Sequence, residues 1–382
     1  MIHRRSPGDL VHGALELEHT PDGVLPHRMP AWARARGDGQ LAMAEAQPSG
    51  VRLVFRTAAT AVELVTVRTR VGYRGIGLRP DGVYDLLVDG RLAGRAGVDG
   101  GKTLLLDPAT GTSTTEPGPP GTVRFDGLPG RSAVVEIRLP YNEITELVEL
   151  RADAPVEPVP ATGRRVWLHH GSSISHGSNA DGPSGTWPAL AAAAGDVELV
   201  NLGLSGSALL DPFTARVLRD TPADLVSVKL GINVVGADLM RLRAFGPAVH
   251  GFLDTIRDGH PDVPLLVVSP ILCPIHEHAP GPLEPDLTDG TVRFRATGDP
   301  AGVRAGQLTL SVVRDELARI VAERSAADPN LSYLDGRELY GEADADELPL
   351  PDRLHPDAAT HDRMGERFAA RVFAPAGPFS RA

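Results

Sequence analysis

The stretch "APVEPVPATGRR", residues 154–165, separates two halves of different texture. From Val51 to about Asp153 the sequence reads as short strands cut by turns, with no helical period. After residue 165, strand-like and helix-like segments alternate to the end. Three prolines and a glycine between the halves read as a semi-rigid linker. At 382 residues the chain exceeds what one core ordinarily serves. The expected organisation is a β-domain over 1–153, a linker over 154–165 and an α/β domain over 166–382.

In the first half, "VRLVFRT" (51–57) and "AVELVTVRTRV" (61–71) alternate apolar and polar residues, as half-buried strands do. "YDLLVDGRLAG" (84–94) holds Asp89-Gly90, a hairpin-turn dipeptide. "TVRFDGL", "AVVEIRLP" and "TELVELRAD" continue the pattern to residue 153, which predicts an antiparallel sandwich. In the second half, "RVWLHH", "VELVNLG", "DLVSVKLGI", "VPLLVVSPI" and "LSYLDG" read as strands. Between them, "TWPALAAAAG", "DPFTARVLRD", residues 241–258 and 309–326 read as helices. A last helix follows Pro356, with Met364, Phe368 and Val372 spaced four apart. This alternation predicts a parallel sheet with helices on both faces and ligands at the carboxyl ends of its strands. Residues 274–307 are long and poor in periodicity, and a substrate-covering loop and plain disorder are both open for them.

Composition excludes several classes of function. A net charge of −11, with lysine only at Lys102 and Lys229, is unsuited to nucleic acid, which calls for clustered basic residues. A single cysteine, Cys273, rules out a disulfide framework; at a strand end before Pro274 it reads as a small buried hydrophobe. No apolar h-region follows the basic N-terminus, and no run of about 18 apolar residues occurs. A soluble cytoplasmic protein without membrane association is expected. Oligomeric state is not legible.

The chemistry concentrates where strands end. "WLHHGSSISHGSNADG" (167–182) puts serines just past the first strand of the second half. Backbone N–H groups gather at such a turn, although Gly-Ser-Ser also serves as ordinary N-cap material. Neither "GSSIS" (171–175) nor "GLSGS" (203–207) is the G-x-S-x-G nucleophile elbow. Three further blocks lie at strand ends: "VNLGLSG" with Asn201, Gly203, Ser205 and Gly206, "LGIN" with Gly231 and Asn233, and "PDRLHPD" with Asp352 and His355.

With these four blocks in order, residues 166–373 resemble the SGNH or GDSL serine hydrolases, and "GSSISHG…WPALAA…VNLGLSG" resembles the two-domain branch. The resemblance implies a jelly-roll, carbohydrate-binding-like β-sandwich followed by a flavodoxin-like α/β/α domain. It implies Ser173 as nucleophile, His355 as general base and Asp352 as the carboxylate that orients it. The backbone N–H groups of Ser173 and Gly206 and the side-chain amide of Asn233 are implied as an oxyanion hole. Two positions depart from the family pattern: Ser172 stands where an acid is usual, and Val234 follows Asn233 where Asp is common.

Over its whole length the chain resembles acyltransferases of that branch. This implies transfer of an aromatic (salicylyl) group from acyl-CoA to a hydroxyl of a tetracycline-type polyketide, with acyl-CoA as substrate and no bound cofactor or metal. An esterase or carbohydrate acetylesterase using water, and a non-catalytic glycan-binding protein, stand as alternatives. Ser172 and His176 are candidate pocket residues. His169 and His170 read as packed strand side chains, and Trp187 as packing its helix on the sheet. His276-Glu277-His278 lacks a third metal ligand and reads as solvent-exposed. Tyr141 and Asn142 in "LPYNEI" fit either a ligand contact near the domain junction or a turn.

Overall fold

The computed structural model describes residues 3–75, 77–107, 110–160, 163–288 and 291–380. Two compact units divide the chain. The first comprises Met1–Arg34, Ala42–Arg164 and Gly182–Ser184; the second comprises Ala35–Leu41, Arg165–Asp181 and Gly185–Ala382.

The first unit is built on two sheets. One centres on the long strand Ala61–Tyr73, which pairs antiparallel with Gly121–Asp126 and Ile144–Ala152. The other runs in the order Val156–Pro158, Arg52–Thr57, Ala133–Arg138, Tyr84–Val88, Arg91–Ala96. Alternation shows directly in Ala133–Arg138, where Ala133, Val135 and Ile137 are buried. Val135 and Ile137 join Leu53, Phe55, Leu64, Tyr84, Val123 and Leu150 in one apolar core. Asp89 and Gly90 both take positive φ (48° and 78°) between the strands Tyr84–Val88 and Arg91–Ala96. This is the backbone that a two-residue hairpin requires.

Two details depart from the sequence reading. Lys102–Leu106 pairs parallel to Ala61–Tyr73, so the sandwich is not wholly antiparallel. Within the expected linker, Val156–Pro158 forms an edge strand on Arg52–Thr57. An edge tolerates Pro158, whose nitrogen has no proton to offer a neighbour. Residues 161 and 162 of that stretch lie outside the described residues.

The second unit holds a five-stranded parallel sheet ordered Glu198–Gly203, Val166–Gly171, Leu225–Lys229, Leu265–Val268, Leu331–Leu334. Numbered along the chain this order is 2-1-3-4-5, the flavodoxin-like winding, whose crevice opens beside strand 1. Helix Pro212–Asp220 packs with Leu242–Gly259, and Trp187–Gly195 packs with Ala358–Phe368. Trp167 on the first strand stacks 5.1 Å from Phe368 and lies 6.2 Å from Trp187. Such aromatic pairs add roughly 0.5–1.5 kcal/mol each beyond area burial. Met364, Phe368 and Val372 are all buried, as their spacing requires.

The described residues of 274–307 form regular structure in part. They contain the hairpin Leu283–Asp286/Arg293–Ala296 and a 3-10 helix over Pro300–Ala305. Residues 289 and 290 lie outside the described residues.

Candidate active site

Ser173 opens a one-turn helix, Ser173–His176, directly after the first parallel strand. Ser172 is its N-cap, accepting from the Ile174 amide at 3.4 Å, and Gly177 ends it with φ 116°. The turn fits because two glycines make room. A Cβ on Gly171 would lie 2.4 Å from Ser175 Oγ, and one on Gly203 would lie 2.4 Å from the His176 nitrogen.

Buried hydrogen bonds hold the turn from behind. Trp167 Nε1–H donates to Ser227 Oγ at 2.8 Å. Ser227 Oγ lies 2.7 Å from His169 Nδ1, and His169 Nε2 lies 2.8 Å from Ser175 Oγ. The Ser227 and Ser175 hydroxyls thus bracket the His169 ring, which donates through one nitrogen and accepts through the other. Burial pushes His169 well below the usual histidine range, which keeps the ring neutral. Asn201 Nδ2 donates to the Ser175 carbonyl at 2.9 Å, while its Oδ1 accepts from the Gly203 amide at 2.9 Å.

At the other end of the chain, Arg353 takes positive φ (67°) and curls "DRLH" back on itself. Asp352 Oδ1 thereby accepts from the amides of Leu354 (2.9 Å) and His355 (2.7 Å). Its Oδ2 accepts from His355 Nδ1 at 2.7 Å, and Asn179 Nδ2 reaches the same oxygen at 3.5 Å. Burial raises the Asp352 pKa, but the hydrogen bonds from His355 and the two amides outweigh it and hold the group below the ordinary carboxylate value. An ionised Asp352 only accepts, so Nδ1 carries the imidazole proton and Nε2 presents a lone pair. That lone pair lies 2.9 Å from Ser173 Oγ. Pro356 disfavours helix at His355, and Asp357 caps the following helix at the Thr360 amide, 2.9 Å.

The implied oxyanion donors follow three adjacent strands. Ser173 follows the first, Gly206 sits in the 3-10 turn Ser205–Ser207 after Glu198–Gly203, and Asn233 lies in Ile232–Gly236 after Leu225–Lys229. Asn233 Oδ1 is buried with no hydrogen-bond partner. A Cβ on Gly206 would lie 2.0 Å from Gln40 Nε2, so Gln40 rests against this glycine. Sequence reasoning missed Gln40, because its segment Ala35–Leu41 belongs to the second unit although it precedes the sandwich core in the chain.

The remaining candidates resolve as packing. Ser172 and His176, expected as pocket residues, are 1% and 2% exposed. His176 Nδ1 faces the Gly203 carbonyl at 2.9 Å and Ser205 Oγ at 3.1 Å, so it braces the turn. His170 is buried against the Leu202 carbonyl, and burial pushes it down to about 4. His276 is fully buried, and Glu277 bonds Arg314 at 2.6 Å and 2.7 Å, which corrects the solvent-exposed reading of both. Arg314, itself buried, draws Glu277 inward as its counter-charge. Burial pushes the Cys273 thiol up to about 12. Asn142 donates to the Pro80 carbonyl at 2.9 Å within the first unit, as a turn residue does. Among the described residues, no group of three His, Cys, Asp or Glu side chains is placed to hold a metal ion. No helix among them is long and apolar enough to cross a membrane.

One further residue touches the site. The hairpin brings the Phe294 ring edge-on to the His355 imidazole, with centroids 5.7 Å apart and planes at 81°. Its amide donates to the Asp352 carbonyl at 2.9 Å.

A serine facing an imidazole that a carboxylate holds, beside the switch point of a 2-1-3-4-5 sheet, is the arrangement of an acyl-transferring or hydrolytic enzyme. Residues 170–363 match the GDSL-like Lipase/Acylhydrolase family, and the chain belongs to it. Among solved structures, it is similar to the salicylyl-acyltransferase SsfX3 from a tetracycline biosynthetic pathway, at 27% identity and a TM-score of 0.77, covering 96% of this chain and 95% of that one. A GDSL-like protein from Bacteroides ovatus is similar at 18% identity and TM-score 0.67, with 96% of both chains covered. A family two carbohydrate esterase from Cellvibrio japonicus is similar at 13% identity and TM-score 0.56, with 97% and 96% covered. The last two likenesses show the fold alone. No curated protein matches the chain.

Proposed function

We propose that the protein moves an acyl group through an ester formed on Ser173. The observation that carries this reading is the relay Ser173 Oγ, His355 Nε2, His355 Nδ1, Asp352 Oδ2, with contacts of 2.9 Å and 2.7 Å. His355 takes the serine proton as Oγ attacks the donor carbonyl and returns it to the leaving group. Asp352 holds the tautomer and stabilises the imidazolium that forms. The Ser173 and Gly206 amides and the Asn233 carboxamide are the donors proposed for the oxyanion.

For the second half-reaction the proposed acceptor is a hydroxyl compound, which makes the protein an O-acyltransferase. Similarity to the salicylyl-acyltransferase, which spans nearly the whole of both chains, supports an aromatic acyl group and a tetracycline-type polyketide acceptor; the donor we propose is a CoA thioester. Such a donor is a cytoplasmic metabolite, and we place the reaction in that compartment. Phe294 against the base supports transfer as well, because a ring there limits the approach of water. The second reading, hydrolysis of a small ester or an acetylated sugar, is favoured by the family's own description as lipase and acylhydrolase. A non-catalytic glycan-binding role is disfavoured by the complete relay.

The test is product analysis with an aromatic acyl-CoA, with and without an alcohol acceptor. The proposal expects an acyl ester of the alcohol at the expense of free acid. Free acid alone, whatever alcohol is supplied, would leave the hydrolase reading standing instead.

A further inference from the structure

The hairpin beside the base sorts its side chains by chemistry. Its register pairs Leu283 with Ala296, Glu284 with Arg295, Pro285 with Phe294 and Asp286 with Arg293. Alternate residues of a strand face opposite sides, and residues paired across strands share a side. One side therefore carries Leu283, Pro285, Phe294 and Ala296, and the other carries Glu284, Asp286, Arg293 and Arg295. Continued one step towards the turn, the alternation adds Leu287 and Val292 to the apolar side. Those two are 47% and 42% exposed. On the charged side Arg295 pairs with Glu284 at 3.1 Å, and Asp286 pairs with Arg353, next to Asp352, at 3.3 Å.

The apolar side is thus continuous with the candidate active site. Phe294 meets His355 at one end, and Leu287 and Val292 lie open to solvent at the other. The base must come within hydrogen-bond reach of the hydroxyl whose proton it takes. A surface packed on the base therefore flanks the acceptor rather than the acyl group, which is held across Ser173 from it.

We propose that this hairpin face is the acceptor site, and that it selects an apolar hydroxyl compound such as a phenol or alicyclic alcohol over water and over sugars. The proposal rests on the acyl-enzyme reading of Ser173. In the step it serves, the acceptor oxygen bonds to the acyl carbon while its proton passes to His355 Nε2. The Ser173 Oγ–acyl bond then breaks, and the same proton returns to Ser173 Oγ, which leaves the new ester and free enzyme. An apolar acceptor gains by covering Leu287, Val292 and Phe294, whereas water and glycerol gain nothing there.

The experiment uses the full-length protein, a p-nitrophenyl ester as donor, and 2-naphthol, glycerol and water as competing acceptors. 2-Naphthol binding is followed separately by its fluorescence. The double variant Leu287→Asp/Val292→Asp changes only exposed positions, so folding is not at stake. The proposal expects more naphthyl ester than glyceryl ester at equal concentration. It also expects the ratio of naphthyl ester to free acid to fall about tenfold in the double variant, in parallel with weaker 2-naphthol binding. Equal use of glycerol and 2-naphthol, or a ratio and binding indifferent to the two aspartates, would overturn it. If Ser173 is never acylated but 2-naphthol binding still depends on Leu287 and Val292, the catalytic reading falls and the apolar site stands.

Discussion

Nε2 of His355 lies 2.9 Å from Oγ of Ser173, although 182 residues separate them in the chain. The histidines nearest Ser173 in sequence do other work. His169 and His176 are buried and bonded to Ser175 and to the Gly203 carbonyl, and they hold the turn that presents the serine. The stretch richest in serine and histidine therefore supplies the nucleophile and its support, while the base arrives from the loop before the last helix.

Because Asp352 fixes which His355 nitrogen carries the proton, Asp352→Asn should leave the fold intact and lower kcat by about 10⁴-fold. An asparagine can present N–H to Nδ1 and so favour the wrong tautomer. Steady-state ester turnover on the variant measures this. A loss under tenfold would mean that the 2.7 Å contact is not used.

Asn233→Ala should lower kcat by about 10²–10³ while leaving KM within a few-fold, as for loss of one oxyanion donor. Initial rates across ester concentrations separate the two parameters. A change in KM alone would move Asn233 from the transition state to ground-state binding.

Ser175→Ala should remove the partner of His169 Nε2 inside a buried chain, at a cost of about 1–3 kcal/mol. Denaturant unfolding measures it. Ser172→Ala should keep most of the activity, since Ser172 contributes one 3.4 Å cap. If Ser172→Ala abolished turnover while Ser173→Ala kept it, the assignment of Ser173 as the nucleophile would be wrong.

The strand-end placement of the four blocks was legible in the sequence, and their roles only through the resemblance they carry. The glycines of "VNLGLSG" mark close approaches that a Cβ would block, and "DRLHPD" encodes both the turn that joins Asp352 to His355 and the cap that follows. The alternation of strands and helices was enough for the parallel sheet. What escaped needed long-range register. The amphipathic alternation of "LEPDL" and "VRFRA" is present in the sequence, but four-residue strands around a proline give too short a period to stand out, and only their pairing brings Phe294 to His355. Gln40 reaches Gly206 from a segment far upstream. The burial of His276 follows from Arg314, a charge on a distant helix, and the parallel pairing of Lys102–Leu106 leaves no mark in either strand.

Lys229, at the end of the third parallel strand, gives a prediction about stability. Its Nζ is buried with no hydrogen-bond partner, and burial, with the Arg314 charge adding to it, pushes its pKa down to about 7. In the unfolded chain the same group titrates near about 10.4. Between these values the unfolded state binds a proton that the folded state does not, so this residue makes stability rise with pH across that window and fall as pH drops towards 7. Lys229→Met should stabilise the protein at neutral pH and flatten the slope from pH 7 to 10 by up to about 1.4 kcal/mol per pH unit. Unfolding curves at several pH values test it. An unchanged slope would show that Lys229 finds a partner for its charge.

The most direct test of the central claim is intact-protein mass spectrometry after brief exposure to an activated ester, followed by peptide mapping. The account predicts one acyl adduct, located on Ser173, absent from Ser173→Ala and discharged on adding an apolar alcohol. An unmodified wild-type mass, or an adduct mapped to Ser172 or Ser175, would contradict it.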